Sequence, residues 1–140
     1  MTTTVEETLV LIKPDGVARN LTGQILARVE AKGYTIADLR MLEPTREMLV
    51  QHYAEHEGKP FFEPLVGFMG SGPVVAVRLQ GNRVIEGFRS LAGATEPTAA
   101  APGTIRGDLG RDWGEAVQKN LVHGSDSTES ATRELGIWFA

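Results

Sequence analysis

The sequence predicts an α+β fold of the ferredoxin-like βαββαβ plan: a four-stranded antiparallel sheet with helices on one face, plus a long functional loop. Three observations carry that expectation. Short runs rich in Val, Ile and Leu alternate with segments of helical period; their order is β-α-β-αα-β-α-loop-β-α; and residues 92–119 show almost no periodic apolar positions. At 140 residues, a single domain spanning 1–140 is expected, long enough to bury a core without staples.

The first run, "TLVLIK" at residues 8–13, stops at "PDG", the pattern of a buried strand ending in a turn, and so sets Lys13 at a strand's end. Ile25, Leu26 and Val29 then recur at helical spacing, and Gly33 supplies the stop. "YTIADLRML" at 34–42 alternates loosely as a second strand. Thr45 is a fitting N-cap for a helix through Met48, Leu49 and Tyr53, with Glu47 in its first turn. "KPFFEPLVGFMGSG" is interrupted by Pro60 and Pro64 and predicts a broken helical pair ending in a turn at 70–73. "VVAVRL" at 74–79 is the third strand. Val84, Ile85, Phe88 and Leu91 mark an amphipathic helix begun near Asn82. After the patternless stretch, which for its length is expected to be functional, "NLVH" at 120–123 is a short fourth strand. Asp126 with Glu129 three residues on has capping-box spacing and opens a helix through Arg133 and Leu135.

Composition narrows the function. The net charge is −4, so nucleic acid is not expected as the main partner, since phosphate neutralisation needs a basic field. The absence of cysteine excludes disulfides, thiolate zinc sites and a cysteine nucleophile. "MTTTVEET" has neither a basic nor an apolar leader region, and no run is long enough to span a bilayer, so a cytoplasmic protein without a membrane partner is expected.

His123 follows two apolar residues and precedes "GSD". A histidine beside an apolar strand is ordinarily a structural residue. Here Gly124 allows close approach, and the start of the next helix sets donors and a positive dipole end nearby, which suits an anion. An imidazole can itself be the nucleophile when a carboxylate holds the ring. Glu134, two to three turns into that helix, is the candidate, reaching the ring directly or through Ser125. The chain contains no G-x-x-x-x-G-K-[ST] loop, so a polyphosphate would have to meet side-chain cations. Lys13, Arg89 and Arg106 are the best placed, although each alone reads as a solvated charge.

"NLVHGSDS" resembles the N-x-x-H-G-S-D signature of the nucleoside diphosphate kinases. "LIKPDGV", "HYAEHEGKPFF", "SGPVVA", "PGTIRGD" and the "ES-A-REL" pattern follow in that family's order, over nearly the whole chain. The resemblance implies ping-pong transfer of the γ-phosphoryl group from a nucleoside triphosphate, usually ATP, to nucleoside diphosphates through a phosphohistidine, with Mg²⁺ as cofactor. It implies that His123 is the nucleophile and that Glu134 and Ser125 orient it. It further implies Arg89, Thr95 and Arg106 on phosphate, Lys13 and Asn120 on sugar hydroxyls and phosphates, and Tyr53 near the reacting group. Phe61 matches the residue that stacks on the base, and without the family it would have been assigned to the core with Phe62. A base held by its face alone is accepted whatever its identity, so low base selectivity is expected. Mg²⁺ is expected through nucleotide phosphates and water, with no dedicated protein ligands. The family also implies a homo-oligomer, a hexamer favoured over a tetramer or dimer. Residues 109–119, with Trp113, run longer than the family pattern.

Two rivals stand beside this. A nucleotide sensor on the same scaffold would keep Phe61 and the cations but has no need of His123 with Glu134. "HYAEH" fits the H-x-x-E-H spacing in which two histidines, His52 and His56, share a zinc ion one helical turn apart.

Overall fold

The computed structural model describes residues 5–140; the first four residues of the "MTTTVEET" stretch, and the leader expectation drawn on them, lie outside the described residues. The sheet is built from β1 (Val5–Ile12), β2 (Thr35–Leu42), β3 (Val74–Asn82) and β4 (Val122–Gly124). Their order is β2-β3-β1-β4, antiparallel at every pairing. That is the expected ferredoxin-like arrangement, with β1 and β3 central because they carry the longest uninterrupted apolar runs.

The helices depart from expectation in one respect: they cover both faces, not one. Val10 and Ile12 of β1, with Val75, Val77 and Leu79 of β3, pack against Ile25 and Val29 of α2 (Thr22–Ala31) and Val84 and Phe88 of α5 (Val84–Ala92). The alternate residues Leu9, Leu11, Val74 and Ala76 face the other way. They meet Leu49 of α3 (Arg46–His52), Val66 and Met69 of α4 (Phe62–Met69), and Leu135 and Trp138 of α7 (Thr128–Trp138). Period-2 geometry sends neighbouring side chains to opposite faces. A strand apolar at every position, such as residues 9–12 of β1, therefore needs a helical layer on each side.

Smaller differences have local causes. "PDG" opens a short helix, α1 (Pro14–Ala18), with Lys13 at its N-cap and Pro14 at the position where a missing N–H costs nothing. The loop contains α6 (Ile105–Leu109), five residues long and so too short to show periodicity; the Thr104 hydroxyl caps it by accepting from Gly107 N. Thr45 caps α3 as expected, accepting from Met48 N at 3.1 Å. The cap of α7 is Ser127, which accepts from Ser130 N at 3.1 Å, and not Asp126. Phe62 is buried as expected, whereas Phe61 is 46% exposed. Among the described residues no helix is long and apolar enough to cross a membrane.

Candidate active site

β4 pairs with β1 through Val10–Gly124, Leu11–His123 and Ile12–Val122, which fixes His123 beside the sheet's central strand. The backbone entering β4 is held in an unusual conformation. Leu121 has φ 73°, a left-handed region that non-glycine residues avoid. Two hydrogen bonds grip it, Lys13 N donating to Leu121 O at 2.8 Å and Leu121 N to Asp15 Oδ2 at 3.1 Å, and the leucine side chain is fully buried. The run "KPDG" thus doubles as a clamp on the strand that carries the imidazole.

The imidazole itself is held from α7. His123 Nε2 lies 2.7 Å from Glu134 Oε1, and the Ser125 hydroxyl donates to the same oxygen at 2.7 Å while accepting from Leu9 N at 3.2 Å. Of the two routes expected from sequence, the direct one is present; Ser125 braces the carboxylate against Leu9 N and does not bridge it to the ring. Burial pushes the Glu134 carboxyl up, but the bonds from His123 and Ser125 and the nearby histidines outweigh it, and its pKa is lowered overall. An ionised Glu134 only accepts, so His123 carries its proton on Nε2 and keeps its lone pair on Nδ1.

His123 lines a cavity of about 300 Å³ together with Lys13, Arg89, Thr95, Arg106, Asn120 and Asp126. Five of the residues expected to hold nucleotide therefore converge on the ring. Lys13 Nζ donates to Asn120 Oδ1 at 2.7 Å, and Asn120 Nδ2 donates to Thr95 O at 2.9 Å. Burial, then the Arg106 charge, lowers Lys13 to about 8 despite the opposing pull of Asp15. Burial, then Arg89, lowers Arg106 to about 10. Such depressed cations are poised to gain from an anion that offsets both penalties. Arg106 has a second duty: Nε, Nη1 and Nη2 donate to the carbonyls of Asn120, Gly93 and Val122 at 3.1, 2.9 and 2.6 Å. A guanidinium has five N–H donors, so it can brace the strand and still face a ligand.

Tyr53 and Phe61 do not line this cavity. Tyr53 is buried edge-on against His52, with ring centroids 4.6 Å apart, and burial raises its phenol pKa. Phe61 stands at the surface against His56, centroids 5.2 Å apart, with Lys59 Nζ 5.8 Å from its ring. Sequence reasoning missed Asp126 as a lining residue, which pairs with Arg89 at 3.6 Å, because its position also suited a helix cap. Gly93, with φ 88° and its carbonyl on Arg106, was likewise hidden in the patternless loop.

The His52–His56 zinc reading is not supported. α3 ends at His52, and His56 belongs to a separate 3₁₀ turn, Ala54–His56, so the two are not on one helix face. His52 instead approaches His123 and Glu134, with one donor atom of each within 4.8 Å. Trp138 Nε1 donates to His52 Nδ1 at 3.1 Å. The ring proton must then sit on Nε2, which removes the lone pair a metal would need there. These are hydrogen-bonded rings, not a ligand set.

Fold and site together define an α+β domain in which a cation-lined cavity meets an oriented histidine. The family model for nucleoside diphosphate kinase matches residues 6–140. The nucleoside diphosphate kinases of Streptomyces avermitilis and Mycobacterium tuberculosis are each 58% identical over 135 residues, covering 96% of this chain and 96% of theirs. The solved structure of a halophilic nucleoside diphosphate kinase from Halobacterium salinarum in complex with CDP is similar at a TM-score of 0.91. It is 44% identical and covers 97% of this chain and 88% of that one. The chain belongs to the nucleoside diphosphate kinase family.

Proposed function

We propose that the protein transfers the γ-phosphoryl group of a nucleoside triphosphate, ATP by default, to nucleoside diphosphates in two half-reactions through His123. The observation that carries this is the bond from His123 Nε2 to Glu134, because it leaves Nδ1 as the one ring nitrogen with a free lone pair. In the first half-reaction Nδ1 attacks the γ-phosphorus, an N–P bond forms, the P–O bond to the β-phosphate breaks, and the diphosphate leaves. In the second, a β-phosphate oxygen of the incoming diphosphate attacks the same phosphorus and the N–P bond breaks. Positive charge develops on the ring in between, and Glu134, bonded to its far nitrogen, stabilises it.

Lys13, Arg89, Arg106, Thr95 and Asn120 would hold the phosphates and ribose, a task that in phosphoryl transfer is mainly positioning and charge neutralisation. Phe61, exposed and on the surface, would stack on the base, and Tyr53 would support the site from beneath His52. The lining is cationic with Asp126 as its carboxylate, so Asp126 is the residue that would help hold Mg²⁺ accompanying the phosphates. When bound, Mg²⁺ neutralises charge that builds on the phosphate oxygens.

Incubation with γ-labelled ATP and Mg²⁺, followed by alkaline denaturation, is expected to leave label on the wild-type chain and none on His123→Ala, which still binds nucleotide. Wild-type protein that binds nucleotide yet carries no label, and turns over no diphosphate in a coupled assay, would instead be a sensor.

A further inference from the structure

The pair on which α7 acts is larger than His123 and Glu134. Glu134 and Trp138 are four residues apart, so they leave the helix on one face, a turn from each other. Glu134 bonds the His123 ring; Trp138 bonds the His52 ring. Those two rings then meet edge to face, centroids 4.7 Å apart and planes at 74°. His52 also contacts Trp138 and Tyr53 edge-on, at 5.7 and 4.6 Å, and is 3% exposed. One helix therefore grips His123 twice, once through a carboxylate and once through a second imidazole.

We infer that His52, fixed in a single tautomer by the Trp138 indole, is a positioning residue that holds the His123 ring in the rotation at which Nε2 meets Glu134. The inference rests on the reading of His123 as phosphoryl carrier. An indole N–H only donates, so Nδ1 of His52 cannot carry a proton while that bond stands. The charged and titratable groups whose fields reach His52 are His123, Glu134, Arg133 and Lys13, and Tyr53 stands edge-on to its ring. A second imidazolium among them would divide the charge of Glu134 and oppose the positive charge that forms on His123. Burial first, then His123, holds His52 at about 3 against the opposing influence of Glu134, and the indole bond acts in the same direction because it favours the neutral form.

The test uses Trp138→Phe, which keeps a ring in the core but removes the donor, and His52→Gln, which offers the indole an acceptor but no ring. Single-turnover phosphorylation of His123 is followed from about pH 5 to about pH 9, across the range where histidine titrates. Nucleotide affinity and the ¹⁵N shifts of the His52 ring are measured alongside. In the wild type the His52 ring is expected in the Nε2–H form throughout. Trp138→Phe is expected to lose phosphorylation rate more steeply towards acid pH, as His52 gains access to its other tautomer and to a proton, with nucleotide affinity kept. His52→Gln is expected to lose roughly ten- to a hundredfold at every pH, again with affinity kept, the scale of a misplaced reacting group. A wild-type ring protonated on Nδ1, or full rates in His52→Gln, would overturn the inference. So would a loss in Trp138→Phe that is the same at all pH values. An unlabelled wild type would strike at the carrier reading itself, a result distinct from labelled wild type with unmoved variants.

Discussion

The side chains of the cavity divide into those already engaged by protein and those left with capacity for a ligand. Glu134 is engaged through one oxygen: Oε1 accepts from both His123 and Ser125, while Oε2 lies 3.7 Å from Arg133 Nη2. Lys13 keeps capacity, since an ammonium has three donors and one is placed on Asn120. Its pKa of about 8 against 10.5 in a free chain has two consequences. Because the unfolded chain binds that proton more tightly, Lys13 contributes a rise in folding stability as pH climbs from about 8 towards 10.5. Because an anion in the cavity favours the charged amine, binding of a nucleoside diphosphate near pH 9 is expected to take up close to one proton, and far less near pH 6. Calorimetry in buffers of different ionisation enthalpy reads that number directly, and Lys13→Met should abolish the uptake. Uptake unchanged in that variant would assign the proton elsewhere. The grouping of His123, Glu134 and Ser125 was legible in sequence because one helix after one strand leaves few places to go. The service of Arg106 to three carbonyls was not, because only a fold brings residues 93, 120 and 122 to one guanidinium.

At the level of elements, the junction of β4 with α7 is where sequence signals and packing agree most and yet mislead once. Asp126 and Ser127 are both good N-caps one residue apart; the choice of Ser127 leaves Asp126 free to face Arg89. Propensity could not choose between them, because the start of α7 is set by burying Leu135 and Trp138 against β1 and α3. Gly124 shows the same dependence on packing. A Cβ built there would lie 2.5 Å from Phe88 Cδ2 and 2.9 Å from Cε2, a ring locked in the core under α5. Gly124→Ala is therefore expected to destabilise by about 1–3 kcal/mol, the usual cost of overpacking, and to slow phosphorylation by shifting β4 away from α7. Urea unfolding with a parallel rate measurement checks both; an unchanged midpoint would mean that the Phe88 ring moves aside freely.

The whole molecule presents an edge that a lone subunit leaves uncovered. Among the described residues β2 pairs with β3 alone and so forms an edge of the sheet, and Leu39 and Met41 on it are 48% and 62% exposed. Exposed strand edges with large apolar residues are liabilities that proteins cover. We therefore propose that this edge lies in the contacts of the homo-oligomer, a hexamer on the family resemblance. Light scattering should give a multiple of the subunit mass, and a Leu39→Lys, Met41→Lys variant should lower it; a monomeric wild type would refute the proposal. For the cations that would meet a phosphate the sequence by itself offered only candidates; it determined the strands, their succession along the chain, and the imidazole with its carboxylate and serine. Those follow from short-range rules, period, caps and turn residues, acting within a few positions. Only the tertiary structure decided that helices cover both faces, that Phe61 stands out while Phe62 is buried, and that Trp138 reaches His52. Each of those depends on groups many positions apart, Trp138 and His52 by 86 residues, and local pattern carries no information about which distant surface a chain will fold against.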